Sequence, residues 1–418
     1  MDIKVFSRLF KSPVFLSIII FLSVMGPGII TANVDNDAGG ITTYSLAGAQ
    51  FGYNLLWLFI PMIIALAVIQ EMGVRMGIVS GKGLADLIRE KVGIKITFLM
   101  MIALLLANFG NVLAEFSGIA VSAGIFGVPK FFALPLAALF VWLLVVKGTY
   151  KSVEKVFLLA SCLYFSYIVA GFLAGPNWGL AAKSLVMPQI SLTTAYITMV
   201  IGMVGTTIAP WMMFYIQSSV VEKGISLKNL KYSKLDAVFG AIIVNIVAFF
   251  IVLSCAATIY SSGVQVTNVA DVSNALVPLA GQYASILFAF GFLNASLFAA
   301  SILPLSTAYY VCESLGFEAG VSKGFKEAPV FHGLYLGLIL LAVIIIMFPN
   351  VPLLSILYLS QVANGLLLPF VLILMLLIIN DKHVMGEYVN SKLFNLISIT
   401  TAVIVMGLSI GWVVTMLL

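Results

Sequence analysis

Two acids, Asp35 and Asp37, stand inside an otherwise apolar run, G-P-G-I-I-T-A-N-V-D-N-D-A-G-G at 26–40, with Gly39 and Gly40 directly behind them. A charged side chain at membrane depth costs at least about 2.5–3.5 kcal/mol on insertion scales, so its presence points to a function or a partner. The adjacent glycines permit a helix break that frees backbone carbonyls, and irregular backbone at that depth persists only around a cavity or inside protein. Carbonyl oxygens beside a carboxylate make a hard-oxygen cation site. On this reading Asp37 is the charged anchor, and Asp35 is either a helper or a solvated group. The competing explanation is that both acids sit at a helix end facing water and the glycines only allow close packing.

A second interruption, G-T-T-I-A-P at 205–210, lies much further along the chain. Pro210 removes a backbone donor and frees the carbonyls before it, near Thr206 and Ile208; a plain kink is the alternative, because proline is common in membrane helices. Few other polar groups lie at depth. Glu115, in N-V-L-A-E-F, is either a cation relay or a protonated carboxyl satisfied by a neighbouring helix. Gln361 and Asn364 are three residues apart and share a helix face, where they either complete a coordination shell or bond to adjacent helices. Asn245 and Asn294 read as interhelical hydrogen bonds, and Glu71 as the partner of Arg75. Ala209 precedes the proline, and Met212 and Met213 behind it read as packing residues. His332 and His383 fall at or near segment ends, which leaves no imidazole shuttle in the core. Cys162, Cys255 and Cys312 share no C-x-x-C spacing, which argues against a zinc cluster, a redox motif or a disulfide framework. The expected donor set is all oxygen, which favours Mg²⁺, Mn²⁺ or Ca²⁺ over iron, copper or zinc.

The elements that must position these groups follow from composition. Of 418 residues, 62% are hydrophobic and 9% charged, with mean hydropathy +1.16, which excludes a water-soluble fold. The basic residues are dispersed between apolar runs, so a pI near 8.9 does not indicate nucleic acid. Eleven runs are long enough to span a bilayer: 13–46, 52–74, 96–126, 130–147, 153–175, 193–220, 235–260, 280–311, 332–349, 352–380 and 394–417. With the N-terminus inside, 19 of the 21 basic residues fall on the cytoplasmic side and only Lys130 and Lys183 outside, as the positive-inside rule requires. The expected topology is N-terminus in and C-terminus out, in the cell (inner) membrane. The basic N-terminal stretch and first apolar run read as a retained helix rather than a cleaved signal. The longest connections, around 75–95 and 261–279, are too short for a second domain.

The first run opens one set of five and the sixth opens the next. Interruptions at corresponding positions point to two inverted repeats, about 13–175 and 193–380, around a midplane site, with 394–417 as an extra helix. The implied device is an alternating-access transporter. No H-E-x-x-H or G-x-S-x-G lies at membrane depth to support an enzyme.

These residues resemble the Nramp divalent-metal transporters, whose fold is of the leucine-transporter type, two inverted five-helix repeats plus an eleventh helix. The likeness is carried by G-P-G at 26–28 through F-G-Y at 51–53, M-G-I-V-S-G-K-G-L-A-D-L-I-R at 76–89, L-A-E-F at 113–116, K-G-T-Y-K-S-V-E-K-V-F at 147–157 and S-Q-V-A-N-G at 360–365. The departures bear on substrate. Where the metal/proton members read Asp-Pro-Gly-Asn, this chain reads Asp37-Ala38-Gly39-Gly40; where they read Met-Pro-His, it reads Ala209-Pro210-Trp211. The family's second histidine of that helix aligns with Ile216, and the acid three residues before Glu115 is replaced by Val112. The soft ligand and much of the proton route are thereby lost, a pattern that looks like the prokaryotic Nramp-related magnesium transporters. That resemblance implies Mg²⁺ and Mn²⁺ transport without proton coupling. The metal set it implies is Asp37, Gly40, Thr206, Ile208, Ala209, Gln361 and Asn364, with Asp35 and Glu115 as relay or accessory groups and Gly39 and Pro210 at the breaks. Replacing Asn by Gly and Met by Ala is expected to make room for a partly hydrated ion, since Mg²⁺ sheds water reluctantly. A proton-coupled Mn²⁺/Fe²⁺ importer is the alternative, and a sodium-coupled amino-acid carrier or a passive channel are more distant ones. No cofactor and no nucleic acid is expected; the expected partners are divalent metal ions and the lipid bilayer, in which the chain is expected to act as a monomer.

Overall fold

The computed structural model describes residues 26–146, 165–277 and 281–417. The start of the first predicted run, the start of the fifth, the 147–157 motif and Cys162 lie outside them. The described chain is helical throughout: α1 (Pro27–Asn33), α2 (Ala38–Phe51), α3 (Phe59–Ser80), α4 (Leu84–Val92), α5 (Ile94–Ile125), α6 (Lys130–Val146), α7 (Phe165–Leu173), α8 (Trp178–Val186), α9 (Thr194–Thr207), α10 (Pro210–Glu222), α11 (Leu230–Cys255), α12 (Ala284–Leu315), α13 (Pro329–Met347), α14 (Leu353–Ile379), α15 (Lys382–Met385) and α16 (Lys392–Leu417).

Helices satisfy every backbone group internally, which is what an apolar solvent demands. Among the described residues eight are long and apolar enough to cross a membrane, counting α9 with α10 as one. The shorter α6, the broken pair α1 and α2, and α7 occupy the other three predicted runs. Two departures from expectation fall in connections. The stretch around 75–95 is not a plain loop, because α4 forms there with Leu84, Ala85, Leu87 and Ile88 buried and its charges outward, a 3.6-residue pattern too short to span. The 175–193 stretch likewise contains α8, which Asn177 caps by accepting from the Leu180 amide at 3.0 Å.

Packing sorts the helices into two groups. In one, α1 and α3 lie on α11, and α10 lies on α3. In the other, α5 lies along α12, and α13 packs against both α12 and α6. The half-helix α2 touches members of both groups, α11 on one side and α5 and α14 on the other, and also meets α9. A short irregular segment is therefore held where both groups converge. At the end of α3 the expected Glu71–Arg75 pair is present at 2.9 Å and is joined by Lys234 at 2.7 Å. Lys91 of α4 reaches Asp381 at 2.5 Å, a bond that holds the Asp381 carboxyl below the usual carboxylate range.

Candidate metal site

The first break is a sequence of three conformations. Helix α1 ends at Asn33, one turn of 3₁₀ helix covers Val34–Asn36, and Asp37 is extended at φ −67°, ψ −177° before α2 begins. Asp37 is the N-cap of α2: its Oδ1 accepts from the Gly40 amide at 2.5 Å, and its carbonyl accepts from Ile41 at 2.8 Å. A carboxylate there satisfies orphan amides and sits at the positive end of the helix. Nothing of this faces water, since Asp35, Asn36 and Asp37 are at most 3% exposed.

At the second break α9 stops at Thr207, and Ile208 (φ −124°, ψ 57°) and Ala209 (φ −69°, ψ 137°) carry the chain into α10, whose first residue is Pro210. Proline at that position gives up a donor that a helix start does not use. The turn at Ile208 and Ala209 carries position 210 out of reach of the Thr206 carbonyl four residues back, and a proline there has no N–H with which to close that bond again.

The two breaks touch. The Thr206 hydroxyl donates to the Asp35 carbonyl at 3.3 Å, and the Tyr44 and Thr207 hydroxyls are 2.7 Å apart. Gly40 lies in this contact: a Cβ there would stand 1.9 Å from the Asp35 carbonyl oxygen and 2.9 Å from Thr206 Oγ1. In this conformation the missing side chain at 40 therefore does not open a cavity for a hydrated ion, contrary to expectation; it lets the Asp35 carbonyl approach. Gly39 allows an equally close approach by Gln361, whose Nε2 would be 2.1 Å from a Cβ at 39.

Glu115 of α5 joins from the other helix group. Its Oε2 accepts from the Ala38 amide at 3.3 Å, beside the Asp37 carboxyl, and its Oε1 has no partner among the described residues. Both carboxylate oxygens of Asp35 are likewise buried without a partner there. Gln361 and Asn364 do share a face, and they bond to each other (3.0 Å); Asn364 also exchanges bonds with Asn111 at 3.0 and 3.1 Å. Asn111 in turn leans on Asn108, which holds the Leu303 carbonyl and Thr307 of α12. Of the two uses considered for Asn364, the bond to a neighbouring helix is the one seen, while Gln361 is placed against the break itself. The structure thus gathers Asp35, Asp37, Gly39, Gly40, Thr206, Gln361 and Glu115, with Asn364 one shell out. Ala209 shapes the second break and brings no polar side-chain atom.

Several groups escaped the sequence reading. Tyr44 follows Asp37 by seven residues, two turns along one face of α2, and that spacing was the available signal. Two further acids are buried. Asp236 is 2% exposed and accepts from the Gly28 amide at 2.6 Å, tying α11 to the start of α1, and Glu313 on α12 is 9% exposed. Asn245 donates to Ala241 of its own helix at 2.8 Å rather than to a neighbour. His332, though at a helix start, is buried, with Nε2 against the Lys323 carbonyl at 2.8 Å.

The arrangement is also that of solved structures. A manganese transporter of Eremococcus coleocola, in complex with an aromatic bis-isothiourea substituted compound, superposes with TM-score 0.76 at 22% identity, covering 93% of this chain and 85% of that one. MhsT in complex with L-phenylalanine superposes with TM-score 0.63 at 16% identity, covering 93% and 97%. The chain is therefore a multi-pass membrane protein with the leucine-transporter-type fold. Residues 28–415 match the Nramp family, natural resistance-associated macrophage protein-like, and the chain belongs to that family. Its members are metal transporters rather than enzymes, and metals pass through them as substrate, not as a resident cofactor. Among curated proteins it is similar to the divalent metal cation transporter MntH of Deinococcus radiodurans, 27% identical over 404 residues (93% of this chain, 88% of the relative). The protein of the same description from Clostridium acetobutylicum is 26% identical over 409 residues, covering 93% and 90%.

Proposed function

We propose that this protein carries divalent metal cations across the cell membrane by alternating access, with Mg²⁺ and Mn²⁺ as substrates, the membrane potential as driving force and no proton coupling. The observation that carries this reading is the donor set at the two breaks. Asp37, Asp35 and the Thr206 carbonyl offer oxygen, and the position before Pro210 is Ala209, without sulfur. Such a set suits a hard cation. Asp37 anchors the ion, the carbonyls near Thr206 and Ile208 contact it or its waters, and Gln361, whose amide oxygen Asn364 holds in this conformation, turns that oxygen to the ion in the state that binds it. Because the conformation described here packs Gly40 against Asp35, a hydrated ion binds in a state where the two halves of the first break have separated. Each charge moved is worth about 2.3 kcal/mol per 100 mV, so a doubly charged ion is drawn inward without a co-ion. The basic residues favour a cytoplasmic N-terminus and a cytoplasmic 75–95 connection, and the two repeats, 13–175 and 193–380, exchange access around the breaks. The protein works as a monomer.

The test is Mg²⁺ uptake into proteoliposomes at fixed membrane potential, with an internal Mg²⁺-sensitive dye, for wild type and Asp37→Ala. Wild-type uptake that the substitution abolishes, and that an imposed pH gradient leaves unchanged, is expected. A preparation that moves Mn²⁺ and not Mg²⁺ would sink the magnesium reading. One observation favours a second reading, a proton-coupled Mn²⁺ importer: among the described residues Asp35 and Glu115 keep carboxyl oxygens without a partner beside Asp37, as a proton route would need. Uptake that follows the pH gradient would favour it.

A further inference from the structure

A polar cavity, of about 580 Å³, opens where the ends of α3, α10 and α12 meet the start of α4. It holds four acids, and their pairing separates them. Asp86 is bridged to Arg89 at 3.0 Å, and Glu318 is bridged to Lys323. Arg89 also donates to the Glu313 carbonyl at 2.8 Å, so its charge is directed at Asp86 and at backbone. Glu222 and Glu313 face neutral donors instead. Glu222 accepts from the Tyr309 hydroxyl and from the Ser322 amide at 2.7 Å. Glu313 Oε1 accepts from the Ser218 hydroxyl at 2.5 Å, while Oε2, on a residue only 9% exposed, has no partner among the described residues.

Ser218 and Glu222 are one turn apart on α10, and Tyr309 and Glu313 are one turn apart on α12, so one strip of the α10–α12 seam carries both carboxylates. A buried carboxylate oxygen without a donor is costly until a cation or water meets it. Gly83 packs against the Glu313 carboxyl, and the cavity that Glu313 lines beyond it has room for an ion that keeps its water: at about 30 Å³ per water, a cation with six waters needs roughly 200 Å³. Among the described residues no three His, Cys, Asp or Glu side chains are grouped as a metal cage. Two carboxylates acting through retained water are the mode that Mg²⁺ uses. Ser218 lies eight residues beyond Pro210, roughly 12 Å along α10 at 1.5 Å per residue, so this helix leads from the break to the cavity.

We propose that Glu313 and Glu222 form a transit site for the hydrated divalent cation, between the break and the cytoplasm; this rests on the transport reading above. The experiment is Mn²⁺ binding to the full chain in nanodiscs, read by electron paramagnetic resonance, together with uptake. Wild type is expected to show two classes of site. Asp37→Asn removes the tighter one. Glu313→Gln keeps an oxygen for Ser218 but weakens the looser class by about tenfold or more, the usual cost of losing a group that acts through the first shell, and leaves the tighter class intact. Glu313→Asp retains both classes. Unchanged binding in Glu313→Gln overturns the transit site. Loss of both classes overturns it as well, because the carboxylate would then hold the bundle rather than the ion. A single wild-type class, lost in Asp37→Asn, overturns the transit site and leaves the transport reading standing; a wild type that neither binds nor moves Mn²⁺ overturns both.

Discussion

The two broken helices reach similar shapes by opposite chemistry. At the first, a side chain makes the break: Asp37 caps α2 through Gly40, and the chain ahead of it tightens into a 3₁₀ turn. At the second, backbone alone makes it. Ala209 is extended, α10 has no side-chain cap, and Pro210 starts the helix. One break therefore supplies charge and the other supplies carbonyls. The difference also means that Asp37 is doing two jobs, since the oxygen that caps the helix is engaged before any ion arrives.

Separating those jobs gives the largest expected effects. Asp37→Ala loses charge and cap together, whereas Asp37→Ser keeps a capping oxygen and loses only the charge. Uptake is expected to vanish in both. Thermal unfolding in detergent is expected to show a loss of about 1 kcal/mol in the alanine variant and much less in the serine one, the ordinary worth of an N-cap. Equal destabilisation of the two would mean that the carboxylate, not the cap, holds the break in shape.

The next effect tests how closely the breaks meet. Gly40→Ala drives a Cβ to 1.9 Å from the Asp35 carbonyl, and Gly205→Ala drives one to 2.1 Å from the Gln361 carbonyl. Both neighbours are backbone, which cannot swing aside as a side-chain tip does. Each substitution is expected to destabilise by about 1–3 kcal/mol, the cost of overpacking, with slower uptake. A Gly40→Ala protein of normal stability would show that the contact with Asp35 belongs to a minor state. A smaller change is expected from Ala209→Met, which leaves the backbone as it is and adds a thioether at the second break. Uptake competition should shift from Mg²⁺ toward Mn²⁺ and Cd²⁺, because sulfur favours softer ions. An unchanged preference would remove position 209 from the site.

How much of this was legible in the sequence depends on the range of the signal. The spans were legible because apolar length and basic flanks are local, and both breaks were legible because Asp37, Gly39 and Pro210 violate helix and membrane rules at a single place. Helix α4 was hidden in a connection because its apolar face is only four residues. Asp236 and Glu313 were passed over, since each falls at the edge of an apolar run. What buries them comes from far along the chain: Gly28 is 208 residues from Asp236, and Ser218 is 95 from Glu313. The use of Gly40 was misread for the same reason, because the atom that fills its space is a carbonyl brought back by the 3₁₀ turn, which no residue type announces.

Pro210→Ala should have the smallest effect of all. The proline looks like the cause of the second break, yet the turn is made at Ile208 and Ala209, and Pro210 is already the first residue of α10. At that position an alanine N–H is not needed by the helix. It could bond the Thr206 carbonyl only if residues 206–209 rewound into helix. That would pull the Thr206 hydroxyl from the Asp35 carbonyl and Thr207 from Tyr44. Two hydrogen bonds between buried groups, each worth about 1 kcal/mol and dearer still when a partner is stranded, oppose the one gained. The break is therefore expected to survive, with uptake within about twofold of wild type and stability lower by a few tenths of a kcal/mol from the lost preorganised φ. If Pro210→Ala instead abolishes uptake as Asp37→Ala does, the second break is held by its proline, and the contrast between the two breaks fails.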